Sequence, residues 1–353
     1  MKLFLYKLAT DQIQGFGPGI LKAGLLVLSF FYDAIVRLRR IFYKTGIFPS
    51  TKLRVPVISI GNLTVGGSGK TPLVQWLAEH LQQKQKKVVI LTRGYMPENK
   101  TSKQPCSDEA QMLVENLKDI PVLVGADRSR NAQAYLEKDS ADFFLLDDGF
   151  QHLPLQRGFD VVVIDCTNPW GNGCVLPRGI LRESISTLKK AAAVILTKTD
   201  QNPSQVPLIQ EKVRKVNPNV LVLETSHQPK ELIQLSDQKS YNYDKLKEKK
   251  VCIMCSIGSP ASFVQTVRQC GYIPEKQFLF MDHHHYRRDE VAMIIEECQK
   301  ENINAIVTTQ KDAVKLRAFM DQFAGRVGVY ALKISIIFKE NEDVLIERIL
   351  NLS

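Results

Sequence analysis

A glycine-rich segment near residue 66 carries the residue types that bind phosphate groups. The run Gly66-Gly67-Ser68-Gly69-Lys70-Thr71 lies between an apolar stretch and a helical pattern. Glycines let backbone N–H groups turn toward phosphate oxygens, Lys70 can reach the terminal phosphates, and the Thr71 hydroxyl can ligate Mg²⁺. The common pattern G-x-x-x-x-G-K-[ST] needs glycine where this chain has Thr64. We therefore predict a nucleoside triphosphate site of unusual sequence.

Two adjacent carboxylates end a second apolar run. Asp147 and Asp148 follow Phe143-Phe144-Leu145-Leu146 directly. In proteins with a phosphate loop, an aspartate at such a strand end helps to hold Mg²⁺ opposite the threonine of the loop. A strand-end Asp-Asp-Gly also forms ordinary turns, so the prediction depends on the phosphate loop. It assigns Thr71, Asp147 and Asp148 to the metal.

The densest histidine cluster is Asp282-His283-His284-His285-Tyr286, with three of the six histidines. Neighbouring side chains on a strand point to opposite faces, so the three histidines are poorly placed to bind one metal ion. One histidine paired with a carboxylate could instead help to remove a proton from a hydroxyl group. The alternative is a surface loop without a function.

Cysteines give no sign of a metal centre. Of the seven, Cys252 and Cys255 form the closest pair, within an apolar run. A structural zinc site would need a second pair or histidines at ligand spacing. We interpret these cysteines as buried strand residues in a reducing cytosol.

Apolar runs alternate with helical patterns over the chain that surrounds these residues. Nearly continuous apolar strands separated by helices indicate a parallel sheet that is covered on both faces. The pattern predicts an α/β fold like that of P-loop NTPases, with a helix at 71–83. Its strands are expected at 57–60, 87–92, 122–124, 143–147, 161–165 and 193–197.

A second α/β pattern begins after a polar stretch. It contains helices at 259–270 and 290–301 and a strand at 305–308. The predicted domains are an N-terminal membrane-associated segment, a P-loop kinase core, a linker, and a smaller C-terminal α/β domain whose last helix could pack on the core. Their bounds are 1–45, 46–228, 229–250 and 251–353, respectively.

The first 45 residues combine an apolar run with basic residues. Ala23–Tyr32 is mostly apolar but is bracketed by Lys22 and Asp33, which makes it shorter than the roughly 20 residues of a spanning helix. The formal charge of +10 suits nucleic acid, an anionic membrane or a phosphorylated substrate. An amphipathic helix in the membrane interface explains this segment best, and a plain helix packed on the domain is the alternative. The basic residues after the apolar run are Arg37, Arg39, Arg40 and Lys44.

Taken together, these segments resemble the tetraacyldisaccharide 4′-kinase family, the lipid A 4′-kinases. The motifs follow the order of the family from about residue 15 to residue 317, and Thr64 belongs to the family string G-N-x-T-x-G-G-x-G-K-T-P. The matching segments are Gly61–Pro72, Arg93-Gly94-Tyr95, Asp108-Glu109, Asp147–His152, Gly171-Asn172-Gly173, Leu176-Pro177, Leu181-Arg182-Glu183, Asp282-His283-His284 and Lys311–Lys315.

The resemblance implies phosphorylation of the 4′-hydroxyl group of a tetraacyldisaccharide 1-phosphate, with ATP and Mg²⁺. The protein would be a peripheral or monotopic monomer at the cytoplasmic face of the bacterial inner membrane, with no nucleic-acid partner. Asp108 and His283 would handle the proton, and Lys70 would act on the phosphates. The residues implied to line the site are Glu109, Gln151, His152, Arg182 and Glu183.

Some positions depart from the family pattern. Met96-Pro97 replaces glycines, Gln310 replaces a glutamate, and Arg178 and Ile180 stand where a small residue and a proline are usual. These departures concern loop shape and acceptor details.

Two other functions also fit parts of the sequence. A P-loop GTPase or ATPase that acts as a conformational switch or a metal-insertion factor would read guanine with N-K-x-D, and Thr197-Lys198-Thr199-Asp200 is close to that string. A membrane-bound scaffold with a relic nucleotide site would not need Lys70, Thr71 and Asp147, all of which are present.

Overall fold

A computed structural model describes residues 2–94 and 107–352 of the chain. These residues form two compact units. The first unit contains residues 2–94, 117–226 and 338–352, and the second contains residues 107–116 and 227–337. Tyr95, Met96 and Pro97, which belong to the sequence predictions, lie outside the described residues.

The helices and strands alternate along most of the chain. The helices are α1 (Lys2–Ala9), α2 (Phe16–Lys44), α3 (Lys70–Gln83), α4 (Asp108–Asn116), α5 (Arg128–Leu136), α6 (Gln205–Val216), α7 (Pro260–Gln269), α8 (Arg288–Lys300), α9 (Gln310–Leu316), α10 (Met320–Phe323) and α11 (Glu342–Leu350). The strands are β1 (Val57–Asn62), β2 (Val88–Thr92), β3 (Val122–Val124), β4 (Phe143–Asp147), β5 (Phe159–Asp165), β6 (Ala193–Thr197), β7 (Leu221–Gln234), β8 (Ser240–Tyr241), β9 (Val251–Cys255), β10 (Pro274–Leu279), β11 (Ala305–Thr309) and β12 (Gly328–Phe338).

The first unit is built on a parallel sheet in the order β3-β2-β4-β1-β5-β6-β7. Strands β1, β2, β4 and β6 are buried at every residue. Such strands need other elements packed on both faces of the sheet, because an apolar face in contact with water would lose the favourable free energy of burial. Phe144 and Leu146 pack with Ala132 of α5, whereas Val162 and Ile164 pack with Ile209 of α6. The predicted α/β fold is confirmed.

The carboxyl ends of neighbouring strands bring the predicted site residues to one edge of this sheet. β1 lies between β4 and β5, with Ile60 in register with Asp147. Asn62 ends β1 and Asp165 ends β5, in register with Thr197 at the end of β6. Ligands of open parallel sheets bind outside this edge, where adjacent loops diverge.

The second unit has its own parallel sheet in the order β10-β9-β11-β12. β9 and β11 are buried at every residue, and Cys252 and Cys255 of β9 are among these buried residues. Within the described chain, no group of three or more His, Cys, Asp or Glu side chains is arranged to hold a metal ion. The residues 229–250, predicted as a linker, include the end of β7, which pairs antiparallel with β8, and a short 3-10 helix.

Two helices belong to a different unit than their sequence position suggests. The predicted domain bounds place α4 in the kinase core, but in the structure α4 belongs to the second unit. There, Glu109 and Glu115 of α4 form ion pairs with Lys311 and Arg317. Helix α11 belongs to the first unit, which is the packing that the sequence left open.

Helix α2 is longer than the apolar run from which it was predicted. It spans 29 residues, of which only Ser29 and Arg40 are buried. By length and composition it could cross a membrane, so the shortness of the apolar run does not exclude a spanning helix. Arg40 lies eleven positions after Ser29, which is about three helical turns and puts both residues on one face of the helix. Phe31, Ile35 and many other apolar side chains of α2 are exposed.

Candidate active site

The glycine-rich segment forms a loop between β1 and α3, as its sequence predicts. Gly69 has φ of 87°, a left-handed conformation that side chains with a Cβ atom rarely adopt, and α3 begins at the next residue. The loop therefore presents the N-terminus of a 14-residue helix, where unpaired N–H groups and the helix dipole favour an anion. Gly66 and Gly67 are exposed, and Ser68 is buried.

Lys70 is held at the loop by two oxygen atoms. Its Nζ lies 3.2 Å from Oδ1 of Asn62 and 3.4 Å from Oδ1 of Asp148. Asn62 in turn donates from Nδ2 to the carbonyl oxygen of Thr64 at 2.9 Å. Asn62 thus couples the lysine to the loop, although the motif alone did not single it out as functional.

Asp148 is surrounded by cations. Nη1 of Arg182 lies 2.9 Å from each of its carboxylate oxygens, and Nη1 of Arg128 donates to its carbonyl oxygen at 3.4 Å. Burial opposes ionisation of this carboxyl group, but Lys70 and Arg182 outweigh that effect and lower the pKa of Asp148 to about 2. Asp148 is therefore a carboxylate at any physiological pH. Arg128 is almost fully buried beside it, and the sequence analysis missed this residue.

The other two residues predicted to bind metal supply oxygen atoms from neighbouring elements. Thr71 lies in the first turn of α3. Asp147 is buried at the end of β4, and its Oδ2 accepts a hydrogen bond from the Thr92 hydroxyl at 3.3 Å. A threonine hydroxyl and two carboxylates are hard oxygen donors, which suit Mg²⁺.

Thr197 and Lys198 contact backbone carbonyl groups of the phosphate loop. The Thr197 hydroxyl donates to the carbonyl oxygen of Ser68 at 2.9 Å, and Nζ of Lys198 lies 3.4 Å from the carbonyl oxygen of Gly67. Lys198 also forms a buried ion pair with Asp165. These contacts assign Thr197 and Lys198 a structural task at the loop, which the similarity to N-K-x-D did not predict.

The segment Leu181-Arg182-Glu183 lies beside the phosphate loop. The backbone N–H of Val65 donates to the carbonyl oxygen of Ile180 at 2.8 Å, and the backbone N–H of Arg182 donates to the carbonyl oxygen of Leu63 at 2.6 Å. Glu183 is buried in an ion pair with Arg40 of α2. The segment therefore connects helix α2 to the loop.

Gln151 and His152 also lie at this edge of the sheet. Gln151 donates from Nε2 to the carbonyl oxygen of Asn62 at 2.9 Å, and its own carbonyl oxygen accepts from Arg39 at 3.4 Å. Burial, together with the charges of Arg128, Arg157 and Arg39, lowers the pKa of His152 to about 4, so its imidazole is neutral at pH 7.

In the second unit, two lysines on one turn of α9 hold two consecutive acids of α4. Nζ of Lys315 lies 3.2 Å from Oδ2 of Asp108, and Nζ of Lys311 lies 3.0 Å from Oε1 of Glu109. Lys311 also lies 3.0 Å from Oδ1 of Asp282. Burial disfavours the charged form of Lys311, but Glu109 and Asp282 outweigh that effect and raise its pKa. Both lysines lie in the segment Lys311–Lys315 that carries the family resemblance, but no functional role was predicted for them.

The histidine cluster divides into separate roles. Nε2 of His283 lies 3.4 Å from Nζ of Lys311, and the ring is largely exposed. His284 instead contacts Glu290 at 3.0 Å and stacks on Phe280, with ring centroids 4.6 Å apart. In the part of the chain that the structure describes, no hydrogen bond or ion pair joins Asp108 directly to His283; each contacts one of the two lysines of α9.

The departures from the family pattern that lie in described residues have local partners. Arg178 forms an ion pair with Asp11 at 2.9 Å, next to the end of α1. Ile180 is buried against Gly171, and Gln310 donates to Oδ1 of Asn116 at 3.3 Å.

Comparison with known proteins gives one consistent relationship. Residues 21–352 match the model of a family described as LpxK, tetraacyldisaccharide-1-P 4′-kinase. The tetraacyldisaccharide 4′-kinase of Halothermothrix orenii is 32% identical over 349 residues, which cover 91% of this chain and 90% of the relative. That of Syntrophus aciditrophicus is 35% identical over 312 residues, which cover 83% of each protein.

A solved structure extends the similarity to three dimensions. The crystal structure of the "apo" form of LpxK from Aquifex aeolicus in complex with ATP matches with a TM-score of 0.72 and 29% identity. The match covers 94% of this chain and 99% of that chain. The similarity therefore includes both units described above.

Proposed function

This chain belongs to the tetraacyldisaccharide-1-P 4′-kinase family and has that activity in lipid A biosynthesis, and from this premise we propose how its residues divide the reaction. The membership excludes the switch GTPase and the scaffold as its function.

ATP binds with its phosphates on Gly66, Gly67, Ser68, Gly69, Lys70 and Thr71. The observation that carries this assignment is the position of Lys70, whose Nζ is held by Asn62 and Asp148 at the N-terminus of α3. An ammonium group at this position can exchange its contact with Asp148 for the β- and γ-phosphates. Charge placed in advance at a reacting phosphoryl group is the main contribution that proteins make to such transfers.

Mg²⁺ fits the residues beside this loop. Thr71, Asp147 and Asp148 would hold it, because their oxygen donors match its preference and the low pKa of Asp148 keeps that carboxylate charged. Mg²⁺ usually retains waters and binds through one or two carboxylates together with substrate phosphates, so a complete protein cage is not required. When bound, it neutralises charge on the β- and γ-phosphates.

Asp108 accepts the proton of the 4′-hydroxyl group, and His283 assists it. The 4′ oxygen forms a bond to the γ-phosphorus, the bond from that phosphorus to the β–γ bridging oxygen breaks, and ADP leaves. The contact that supports this role is the ion pair of the partly exposed carboxylate with Lys315. The family resemblance also implies site roles for Glu109 in the second unit and for Gln151, His152, Arg182 and Glu183 in the first unit.

The protein acts as a monomer on the cytoplasmic face of the inner membrane and binds no nucleic acid. Helix α2 lies in the membrane interface and does not cross the bilayer. The support for this choice is that one face of α2 is docked on the first unit from Ser29 to Arg40. Ser29 donates to the carbonyl oxygen of Val175 at 2.9 Å, and the Tyr32 hydroxyl donates to that of Arg182 at 3.1 Å. A helix held in this way along one side cannot be surrounded by lipid.

The test is transfer of radiolabelled γ-phosphate from ATP to tetraacyldisaccharide 1-phosphate. Replacing Lys70 with alanine removes charge that is positioned for the transferred group, so we expect turnover to fall by a factor on the order of 10³. The matched control is Lys333→Ala, which removes a lysine paired with Glu231 in the second unit. Turnover by Lys70→Ala within a few-fold of that of the control would contradict the assignment of the loop.

A further inference from the structure

The Lys315 ammonium group has a partner for each of its three N–H donors. Its Nζ donates to the Ser256 hydroxyl at 2.8 Å and lies 3.4 Å from Oδ1 of Asp312 and 3.2 Å from Oδ2 of Asp108. An ammonium group carries three N–H bonds and accepts none, so this set is complete. The side chain is 9% exposed, and this burial limits the positions that the amine can take.

The first two of these partners are themselves fixed. Asp312 is fully buried and accepts hydrogen bonds from the Ser256 backbone N–H and the Thr309 hydroxyl, both at 2.8 Å, and from the Tyr286 hydroxyl at 3.2 Å. The Ser256 hydroxyl also donates to Asp312. A carboxylate with this many donors is held in one orientation independently of the lysine. Ser256 and Asp312 therefore form a rigid base for the ammonium group.

Asp108 differs from these two partners because it sits at the start of a helix and is partly exposed. Its side chain is 24% exposed, and Lys315 provides its ion pair. The neighbouring Ser107 hydroxyl accepts from the Ala110 backbone N–H at 3.1 Å and so fixes the beginning of α4. With the helix start fixed, the remaining freedom of Asp108 is the rotation of its side chain, which is what the third N–H of Lys315 restricts.

We infer that Lys315 is a positioning residue for phosphoryl transfer, which acts by holding the Asp108 carboxylate in the orientation in which it accepts the proton of the substrate hydroxyl group. This inference rests on the proposed role of Asp108. Lys315 touches neither the phosphates nor the sugar in this role. A reacting group that moves by about 1 Å loses on the order of 10² in rate, so the effect of the lysine is large although it is indirect.

The experiment compares Lys315→Met and Asp108→Asn, alone and combined, by steady-state transfer of phosphate from ATP to tetraacyldisaccharide 1-phosphate. Methionine keeps an unbranched apolar stem and removes only the ammonium group. We expect Lys315→Met to lower kcat about 10²-fold with the KM for ATP within about twofold of the wild-type value. In the Asp108→Asn background the same change should alter kcat less than about threefold, because the carboxylate that Lys315 positions is already gone.

The controls separate this inference from the proposed function. Lys333→Met, a change of the same type at an ion pair elsewhere in the second unit, should leave kcat within about twofold of wild type. If Asp108→Asn keeps wild-type turnover, the proposed role of Asp108 fails. If Asp108→Asn is inactive while Lys315→Met remains within threefold of wild type, or if Lys315→Met causes the same loss in both backgrounds, only the role of Lys315 is refuted.

A second variant covers the case in which Lys315→Met does not fold. Ser256→Ala removes the hydroxyl that anchors the ammonium group but keeps the ion pair with Asp108. We expect a loss in kcat of about tenfold that also disappears in the Asp108→Asn background. A loss that persists in that background would refute the role of Lys315.

Discussion

The buried ion pair between Arg40 and Glu183 makes helix α2 part of the stability of the first unit. Arg40 is 9% exposed and Glu183 is 1% exposed. The guanidinium group also lies over the Phe150 ring, 5.2 Å from its centroid. Removing one member of a buried pair leaves the other charged without compensation, which costs about 3–5 kcal/mol. We therefore expect Arg40→Met to lower the free energy of unfolding of this unit by that amount.

The same reasoning predicts that removing both charges is much less harmful. Desolvation offsets much of the attraction in a buried pair, so Arg40→Met combined with Glu183→Met should cost no more than about 1 kcal/mol. Arg37→Met is the matched control on the same helix. Its ion pair with Asp33 involves an arginine that is 65% exposed, and exposed pairs contribute about 0–1 kcal/mol.

Urea unfolding followed by tryptophan fluorescence measures these changes. The chain has two tryptophans, Trp76 and Trp170, and both belong to the first unit, so the signal reports on that unit. A loss of 3 kcal/mol should also lower its melting temperature by roughly 6–12 °C. Two results would contradict this prediction. One is a loss of stability for Arg40→Met equal to that for Arg37→Met, and the other is a loss for the double variant equal to the sum of the losses for Arg40→Met alone and Glu183→Met alone.

Three further predictions follow from the site and from helix α2. Asp108→Ala and His283→Ala should each lower turnover by at least tenfold, and their combination should be little worse than the poorer single variant; multiplicative losses in kcat would show that the two act separately. Because the pKa of His152 is about 4 when folded and near 6.5 when unfolded, the unfolded chain binds more protons between these values, so stability rises with pH across that window. His152→Gln should flatten this rise in urea unfolding at pH 4.5 and pH 7, and an unchanged slope would contradict the assignment. Replacing the exposed Phe31 and Ile35 by serine should weaken co-flotation with anionic liposomes but leave the urea midpoint unchanged, and undiminished flotation would exclude this face as the membrane contact.

The sequence was sufficient where a structure depends on residues that are close together in the chain. The loop from Gly66 to Thr71 and the carboxylates that end β4 follow from short patterns, because a strand, a tight turn and a helix start are local structures. The buried strands of both sheets were also recognisable, since burial on both faces leaves almost uninterrupted apolar runs. The local pattern pointed to the histidine cluster as a whole, and the resemblance to the family then supplied His283 within it and Asp108 as the candidates.

What the sequence could not provide are the partners of these residues. Arg40 meets Glu183 across 143 residues, and Lys311 meets Glu109 across 202 residues. Such pairs depend on the folded path of the chain, and a charged residue has many possible partners in a sequence with 47 lysines and arginines. Spacing likewise could not show which of three adjacent histidines lies beside Lys311 and which stacks on Phe280.

The contacts along α2 have a further consequence for how the molecule meets a surface. Ser29, Tyr32 and Arg40 each bind the helix to the rest of the first unit, and these contacts oppose rotation of the helix about its own axis. The apolar side chains on its other side, among them Phe31 and Ile35, consequently point in one fixed direction relative to the phosphate loop. A bilayer into which these side chains insert would therefore meet the first unit in a single orientation. With the membrane contact proposed above, the same contacts would set the height and tilt of the phosphate loop above the lipid.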